Sequence, residues 1–145
     1  MDQLDQRIMN LLQVDGRLSI KKMAEKLFIS GPAVSQRLRQ LEEAGLIQQY
    51  QAQLNYAKND LMIKAYVRLN LDPQDKTEFY PYIEKIPNIL ECDCVTGSYS
   101  ILMKVIFCNT EELDHFVNQM QHFGPTNTQI VFSTPLASRG YQFEI

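Results

Sequence analysis

The feature that most constrains this chain is a change of hydrophobic period near residue 46. Before it, apolar residues recur at helical spacing. Leu4, Ile8, Leu11 and Leu12 share one face; Ile20, Met23, Ala24 and Leu27 share a second; Val34, Leu38 and Leu41 share a third. Gly16 and Gly45 stand where the first and third helices should stop. Ser19 and Ser30 stand where the second and third should be capped, and Pro32 is tolerated in a first turn. Only Phe28 and Ile29 separate the second helix from the cap of the third, which leaves room for a tight turn alone. Two short amphipathic helices so joined, with another covering their apolar faces, make a helix-turn-helix unit. The same pattern also fits an unspecialised three-helix bundle.

From Ile47 the period becomes two. Tyr50, Ala52 and Leu54 alternate with Gln49, Gln51 and Gln53, which predicts a strand, and residues 55–60 form a polar linker or turn. Beyond it, strands are expected at 64–71, 89–95, 101–107 and 126–133, with helices near 76–86 and at 110–123. Pro81 lies inside the first of these helices and removes a hydrogen bond, so that helix should start late or kink. Glu111 and Glu112 suit the positive end of the second. The order β-α-β-β-α-β is the split βαβ, ferredoxin-like arrangement, one antiparallel sheet with both helices on one face. The predicted class is α+β. A three-helix helix-turn-helix (winged-helix-like) domain occupies 1–46, a linker strand and hinge 47–60, and a βαββαβ domain 61–145. In the strand at 101–107, Ile101, Met103, Val105 and Phe107 point one way and Leu102, Lys104 and Ile106 the other. Helices can cover one side only. A second copy of the sheet is the simplest cover for the other, which predicts a dimer.

Charge is unevenly placed. The net charge of the 145 residues is −3, but residues 1–60 hold eight Lys/Arg against seven Asp/Glu, and the rest six against ten. The basic side chains therefore gather in the helical part. No apolar run is long enough to span a membrane. The start, MDQLDQRIMN, is acidic and amphipathic rather than a signal peptide, so a cytoplasmic protein is expected. Cys92, Cys94 and Cys108 lack the paired spacing of a zinc site and read as buried, reduced thiols. His115 and His122 read as surface or boundary histidines. No metal or cofactor is expected.

The residues Leu4-Asp5, Ile8, Leu11-Leu12, Asp15-Gly16-Arg17, Ser19, Ala24, Leu27, Ser30, Val34, Arg37, Leu41-Glu42, Gly45, Ile47 and Tyr50, followed by Thr96-Gly97 before an apolar strand, form one pattern. In that pattern the chain resembles the Lrp/AsnC family, the leucine-responsive and asparagine-type (feast/famine) regulators, over nearly its whole length. The resemblance implies a transcription regulator that binds double-stranded DNA and pairs through its C-terminal sheets, often assembling into octamers. It also implies control by a small molecule, commonly an amino acid, held between C-terminal domains. Two departures stand out: Phe28 replaces a frequent Gly in the turn, and Ser100 replaces a common acidic residue after Thr-Gly. Siroheme decarboxylases share the two-domain plan and use C-terminal histidines, which gives an enzymatic alternative. A sensor that has lost DNA binding is another.

On the regulator reading, the third helix enters the major groove. Its outward residues are Pro32, Ala33, Ser35, Gln36, Arg37, Arg39 and Gln40, where Gln suits adenine and Arg suits guanine. Ser30 and Ser35 can reach phosphate, as can Lys21, Lys22 and Lys26 on the helix before. Arg37 reads equally as a structural partner of Glu42 or Glu43. The candidate effector residues are Thr96, Gly97, Ser98, Tyr99 and Ser100, where glycine admits a ligand to the backbone and successive amides can cradle a carboxylate. The same residues also read as an ordinary hairpin turn.

Overall fold

A computed structural model describes residues 2–145. The chain forms two compact units. The first runs to Leu54 and takes in Leu136–Ile145; the second is Asn55–Pro135.

The first unit holds α1 (Gln3–Val14), α2 (Ile20–Leu27) and α3 (Gly31–Glu43). Each start is capped by a short polar side chain that satisfies an otherwise orphaned amide. Asp2 Oδ1 accepts from the Asp5 amide at 2.9 Å, and Asp5 Oδ2 accepts from the Asp2 amide at 3.0 Å, a reciprocal capping box. Ser19 Oγ accepts from the Lys22 amide and Ser30 Oγ from the Ala33 amide, the two caps expected from sequence. Ile8, Met9, Met23, Val34 and Leu41 are buried. Phe143 packs on this core from the C-terminal tail. Its backbone exchanges two hydrogen bonds with the Asn10 side chain, at 2.8 and 2.9 Å, and the Gln13 amide donates to the Tyr141 carbonyl. The expected 61–145 domain thus differs from the structure at its end. Residues 136–145 group with the helices because Phe143 finds its apolar surface and Asn10 there.

Residues 47–54 are not assigned to a strand and pair with nothing among the described residues. Alternation gives a segment two faces, but a strand also needs a neighbour to bond to. Tyr50 instead donates its hydroxyl to Glu42 at 2.8 Å. Burial and that carboxylate push its phenol up to about 12.

The second unit holds β1 (Ile63–Leu69), α4 (Lys76–Ile83), β2 (Ile89–Cys94), β3 (Ile101–Phe107), α5 (Thr110–Gln121) and β4 (Thr126–Ile130). The strand order is β2-β3-β1-β4, antiparallel throughout, as the element order predicts. Register sets the core. Ala65 faces Val105, Val67 faces Met103 and Leu69 faces Ile101, so all six lie on one side of the sheet. Phe79 of α4 and Leu113, Phe116 and Met120 of α5 are buried with them. Pro81 is held inside α4, which ends at Ile83 rather than 86, and β4 stops at Ile130 rather than 133. Gly124 (φ 146°) is required, since a Cβ there would collide with the Asn70 carbonyl.

Among the described residues of the second unit, no helix packs on the other side of the sheet. Ile106 is buried and Leu102 half-buried, but Tyr66, Arg68, Lys104, Asn127 and Gln129 share that side. It is more polar than β3 alone suggests. The cysteines also differ from expectation: Cys92 is half-buried, and Cys94 and Cys108 are exposed. β2 is an edge strand, so its end is uncovered, and Cys108 follows the last residue of β3. Among the described residues, no helix is long and apolar enough to cross a membrane.

Phe28 ends α2 in the left-handed region (φ 57°, ψ 41°) with 94% of its surface exposed. A side chain there is strained and packs on almost nothing. Phe28→Gly is expected to stabilise the helical unit by about 1 kcal/mol, read as a higher urea midpoint. An unchanged or lower midpoint contradicts that strain.

Candidate functional site

The outward face of α3 is set by what its inward face buries. Val34 and Leu41 are buried and Leu38 is half-buried. Pro32, Gln36, Arg39 and Gln40 recur at i, i+4, i+7 and i+8, and all four are exposed. Lys21 and Lys22 are exposed in the first turn of α2. Arg39 makes no ion pair within 4 Å among the described residues. These six side chains form an exposed surface of two cationic amines, one guanidinium and two amides. It can meet phosphate and base edges without first breaking an internal ion pair.

Other expected members are engaged in the fold. Ser30 Oγ caps the helix, and Ser35 Oγ donates back to the Gly31 carbonyl at 3.1 Å. Ala33 is half-buried. Arg37 differs most from its expected place on the reading face. Its Nη1 lies 2.6 Å from Asp2 Oδ2 and 3.1 Å from Asp5 Oδ1. The guanidinium therefore ties α3 to the capping box of α1, and its acids are neither Glu42 nor Glu43. Glu42 and Glu43 are near Arg37 in sequence, whereas Asp2 and Asp5 lie 35 and 32 residues away. The Asp5 amide, with help from Arg37, holds the Asp2 carboxyl below the usual carboxylate range, and Asp2 in turn raises Arg37.

In the second unit, Thr96, Gly97 and Ser98 are exposed and Tyr99 and Ser100 half-buried in the turn between β2 and β3. Gly97 has φ 105°, which favours glycine. The Val95 amide donates to the Ser100 carbonyl at 2.9 Å and closes the turn. Ser100 is engaged by two backbone groups: its amide donates to the Leu69 carbonyl, and its Oγ accepts from the Leu71 amide at 3.1 Å. Two further residues join this turn that sequence reasoning did not single out. Arg68 of β1 lies against the Tyr99 ring, its Cζ 5.0 Å from the centroid, and donates to Asn127 Oδ1 of β4. The available signal was the polar face of β1, where Lys64, Tyr66 and Arg68 alternate with apolar residues. His115 and His122 are both exposed on or at the end of α5, beside Gln119 and Phe123 respectively.

A helix-turn-helix with an exposed, unneutralised face, followed by a split βαβ sheet, defines the class of two-part DNA-binding regulators. Residues 1–48 match a family model for a winged helix-turn-helix DNA-binding domain, and residues 64–141 match the Lrp/AsnC ligand binding domain. The chain belongs to the Lrp/AsnC family of transcriptional regulators. It is 32% identical over 133 residues to the HTH-type transcriptional regulator LrpC of Bacillus subtilis, covering 92% of each chain. The solved structure of LrpC superposes with a TM-score of 0.90 at 30% identity, covering 95% of this chain and 99% of that one. A Neisseria meningitidis transcriptional regulator in complex with L-methionine gives a TM-score of 0.90 at 27% identity, covering 95% and 94%. A feast or famine regulatory protein of M. tuberculosis, complexed with L-methionine, also gives 0.90, at 25% identity, covering 97% and 98%.

The Asp2 carboxyl supplies a pH test. Its folded value lies below its unfolded one of about 3.9. Its contribution is therefore complete above that pH and is lost as pH falls through the folded value. Unfolding midpoints measured between pH 6 and 2 are expected to fall in the acid range, and Asp2→Asn should flatten that fall. An identical acid slope in the variant contradicts the ion pair.

Proposed function

We propose that the chain is a sequence-specific regulator that reads the major groove with Gln36, Arg39 and Gln40 of α3. Lys21 and Lys22 of α2 hold the DNA backbone, and Pro32 brings the start of α3 close to the duplex. The observation that carries this reading is the exposed row on α3, whose arginine is unneutralised while its neighbour Arg37 is held inside the fold. The protein acts in the cytoplasm, as a regulator rather than an enzyme. The two histidines on which a siroheme-decarboxylase reading would rest are exposed and neighboured by residues of their own helix segment.

Assembly and sensing belong to the second unit. The sheet face without helices, with Ile106 and Leu102 at its centre, is the surface on which a second copy would sit. Further assembly into octamers is what the family likeness implies. The turn at 96–100 is the effector site, where Gly97 at φ 105° opens the backbone to a ligand; the L-methionine complexes of two similar regulators support an amino-acid effector.

Three measurements test these statements. Fluorescence anisotropy with the DNA upstream of the protein's own gene is expected to show salt-dependent binding. Arg39→Ala should lower the slope of log K against log salt by about 1 if the side chain meets phosphate. If it meets a base, specificity at one position should relax by ~1–3 kcal/mol. Unchanged binding in both respects removes Arg39 from the interface. Sedimentation at micromolar concentration should show a dimer or larger, and a stable monomer contradicts the sheet pairing. Thermal-shift screening of the twenty amino acids is expected to raise the melting temperature with at least one small carboxylate ligand; no shift with any argues against an amino-acid effector.

A further inference from the structure

Two thiols share one side of β2 near its end. Cys92 is paired with Met103 and Cys94 with Ile101, and both partners belong to the core. The cysteines therefore lie on the helix-covered side of the sheet, two residues apart on one strand. Cys92 packs against the core, and so does Tyr80 of α4. The Tyr80 hydroxyl lies 3.1 Å from Cys94 Sγ, within reach to donate to a thiolate there. Burial pushes the Cys92 thiol up to about 11, with help from Cys94 and Asp93. Two thiolates at such neighbouring positions repel each other, and a cation shared between them removes the repulsion.

Strand geometry decides what the pair can do. Residues on the same side of a strand, two apart, are about 6.5 Å from one another. A disulfide needs its Cβ atoms within about 4.5 Å, so these two cysteines cannot join without bending the strand. An ion between the sulfurs demands less. With metal–sulfur bonds of about 2.3 Å it holds two sulfurs up to about 4.6 Å apart. Each side chain then leans toward the other by only about 1 Å. The number of ligands selects the ion. A structural zinc takes four, and an iron–sulfur cluster takes four cysteines. Among the described residues, no three His, Cys, Asp or Glu side chains gather to hold a metal. Of the ions that thiolate sulfur selects, copper(I) is the one left by that count.

We propose that Cys92 and Cys94 form a two-thiolate site for a soft monovalent cation, copper(I) by its chemistry, with Tyr80 as a positioning residue that donates to the Cys94 sulfur. On binding, two S–H protons leave to solvent and two sulfur–copper bonds form, with no change of oxidation state. The site is on the opposite side of the sheet from the face given to a second copy, and it involves neither α3 nor the 96–100 turn. It stands or falls separately from the DNA and effector readings.

The test is titration of the reduced, full-length protein with copper(I) under ascorbate, with bathocuproine disulfonate as competitor. The wild type is expected to withdraw one ion per chain from the competitor. Cys92→Ser and Cys94→Ser should each weaken binding by about a hundredfold or more, since losing a ligand costs more than losing an outer partner. Cys108→Ser should bind like the wild type. Tyr80→Phe keeps the ring and should weaken binding by about tenfold. Copper(I) should also raise the melting temperature of the wild type and leave that of Cys92→Ser unchanged. Cys92→Ala is the second variant, should a serine at this half-buried position unfold the sheet. The proposal is overturned if no ion is withdrawn, if both single variants at 92 and 94 bind as tightly as the wild type, or if Cys108→Ser is the variant that loses the ion. It is also overturned if diamide joins Cys92 to Cys94 in a disulfide found by peptide mapping, since the pair would then be spaced for redox exchange rather than for an ion.

Discussion

The exposed side of α3 is available because its other side is held. Val34 and Leu41 are buried against the remaining helices, and the Arg37 guanidinium is clamped by Asp2 and Asp5 at the start of α1. One arginine of the helix is thereby converted into a structural tie, and the other, Arg39, makes no ion pair among the described residues. The same two aspartates cap α1, so a single cluster fixes both the first turn of one helix and the rotation of another. Rotation matters more than position for a reading helix. A turn of one residue, about 100°, would replace the row Pro32, Gln36, Arg39 and Gln40 by Ala33, Arg37, Gln40 and Leu41, or by Gly31, Ser35, Leu38 and Arg39, and break up the polar surface.

The second unit depends on register in the same way. Pairing Val67 with Met103 commits alternate residues of β1 and β3 to the helix-covered side. A slip of one residue would send Arg68 and Lys104 into the core. Because the register holds, Arg68 emerges on the open side, within reach of Asn127 on β4 and of Tyr99 in the turn. The net charge of −3 is no obstacle to DNA binding on this arrangement. The cations that matter are few and sit on one surface of α2 and α3, while most of the acids belong to the second unit.

Much of this was legible in the sequence, for physical reasons. Periodicity of 3.6 placed the helices and alternation placed β1 and β3, because each of these buries one apolar face, while the edge strands β2 and β4, which bury none fully, followed from the order of elements around them. Ser19 and Ser30 announced their helices because a cap needs a short polar side chain at one position. Phe28 marked the turn as unusual by replacing a frequent Gly, but only the structure shows that it keeps a positive φ instead of reshaping the turn. What stayed illegible depends on partners distant in sequence. Residues 47–54 alternate like a strand but pair with no other segment among the described residues. The role of Arg37 is set by acids at the far end of the unit. Phe143 and Asn10 meet across 133 residues with no pattern to signal it. Arg68 and Asn127 become a pair only once β1 and β4 are side by side. The burial expected of the cysteines failed because strand order puts β2, with Cys92 and Cys94, at a sheet edge, and because Cys108 falls just past the end of β3.

The central claim is that α3, and not another helical face, lies against DNA. Photo-crosslinking tests it directly. Benzoylphenylalanine is placed at position 36, in place of Gln36, and separately at position 14, in place of Val14, which is 80% exposed on α1. Each protein is irradiated with labelled promoter DNA. Efficient crosslinking from position 36 with little from position 14 is the expected result. Crosslinking from position 14 alone would contradict the account.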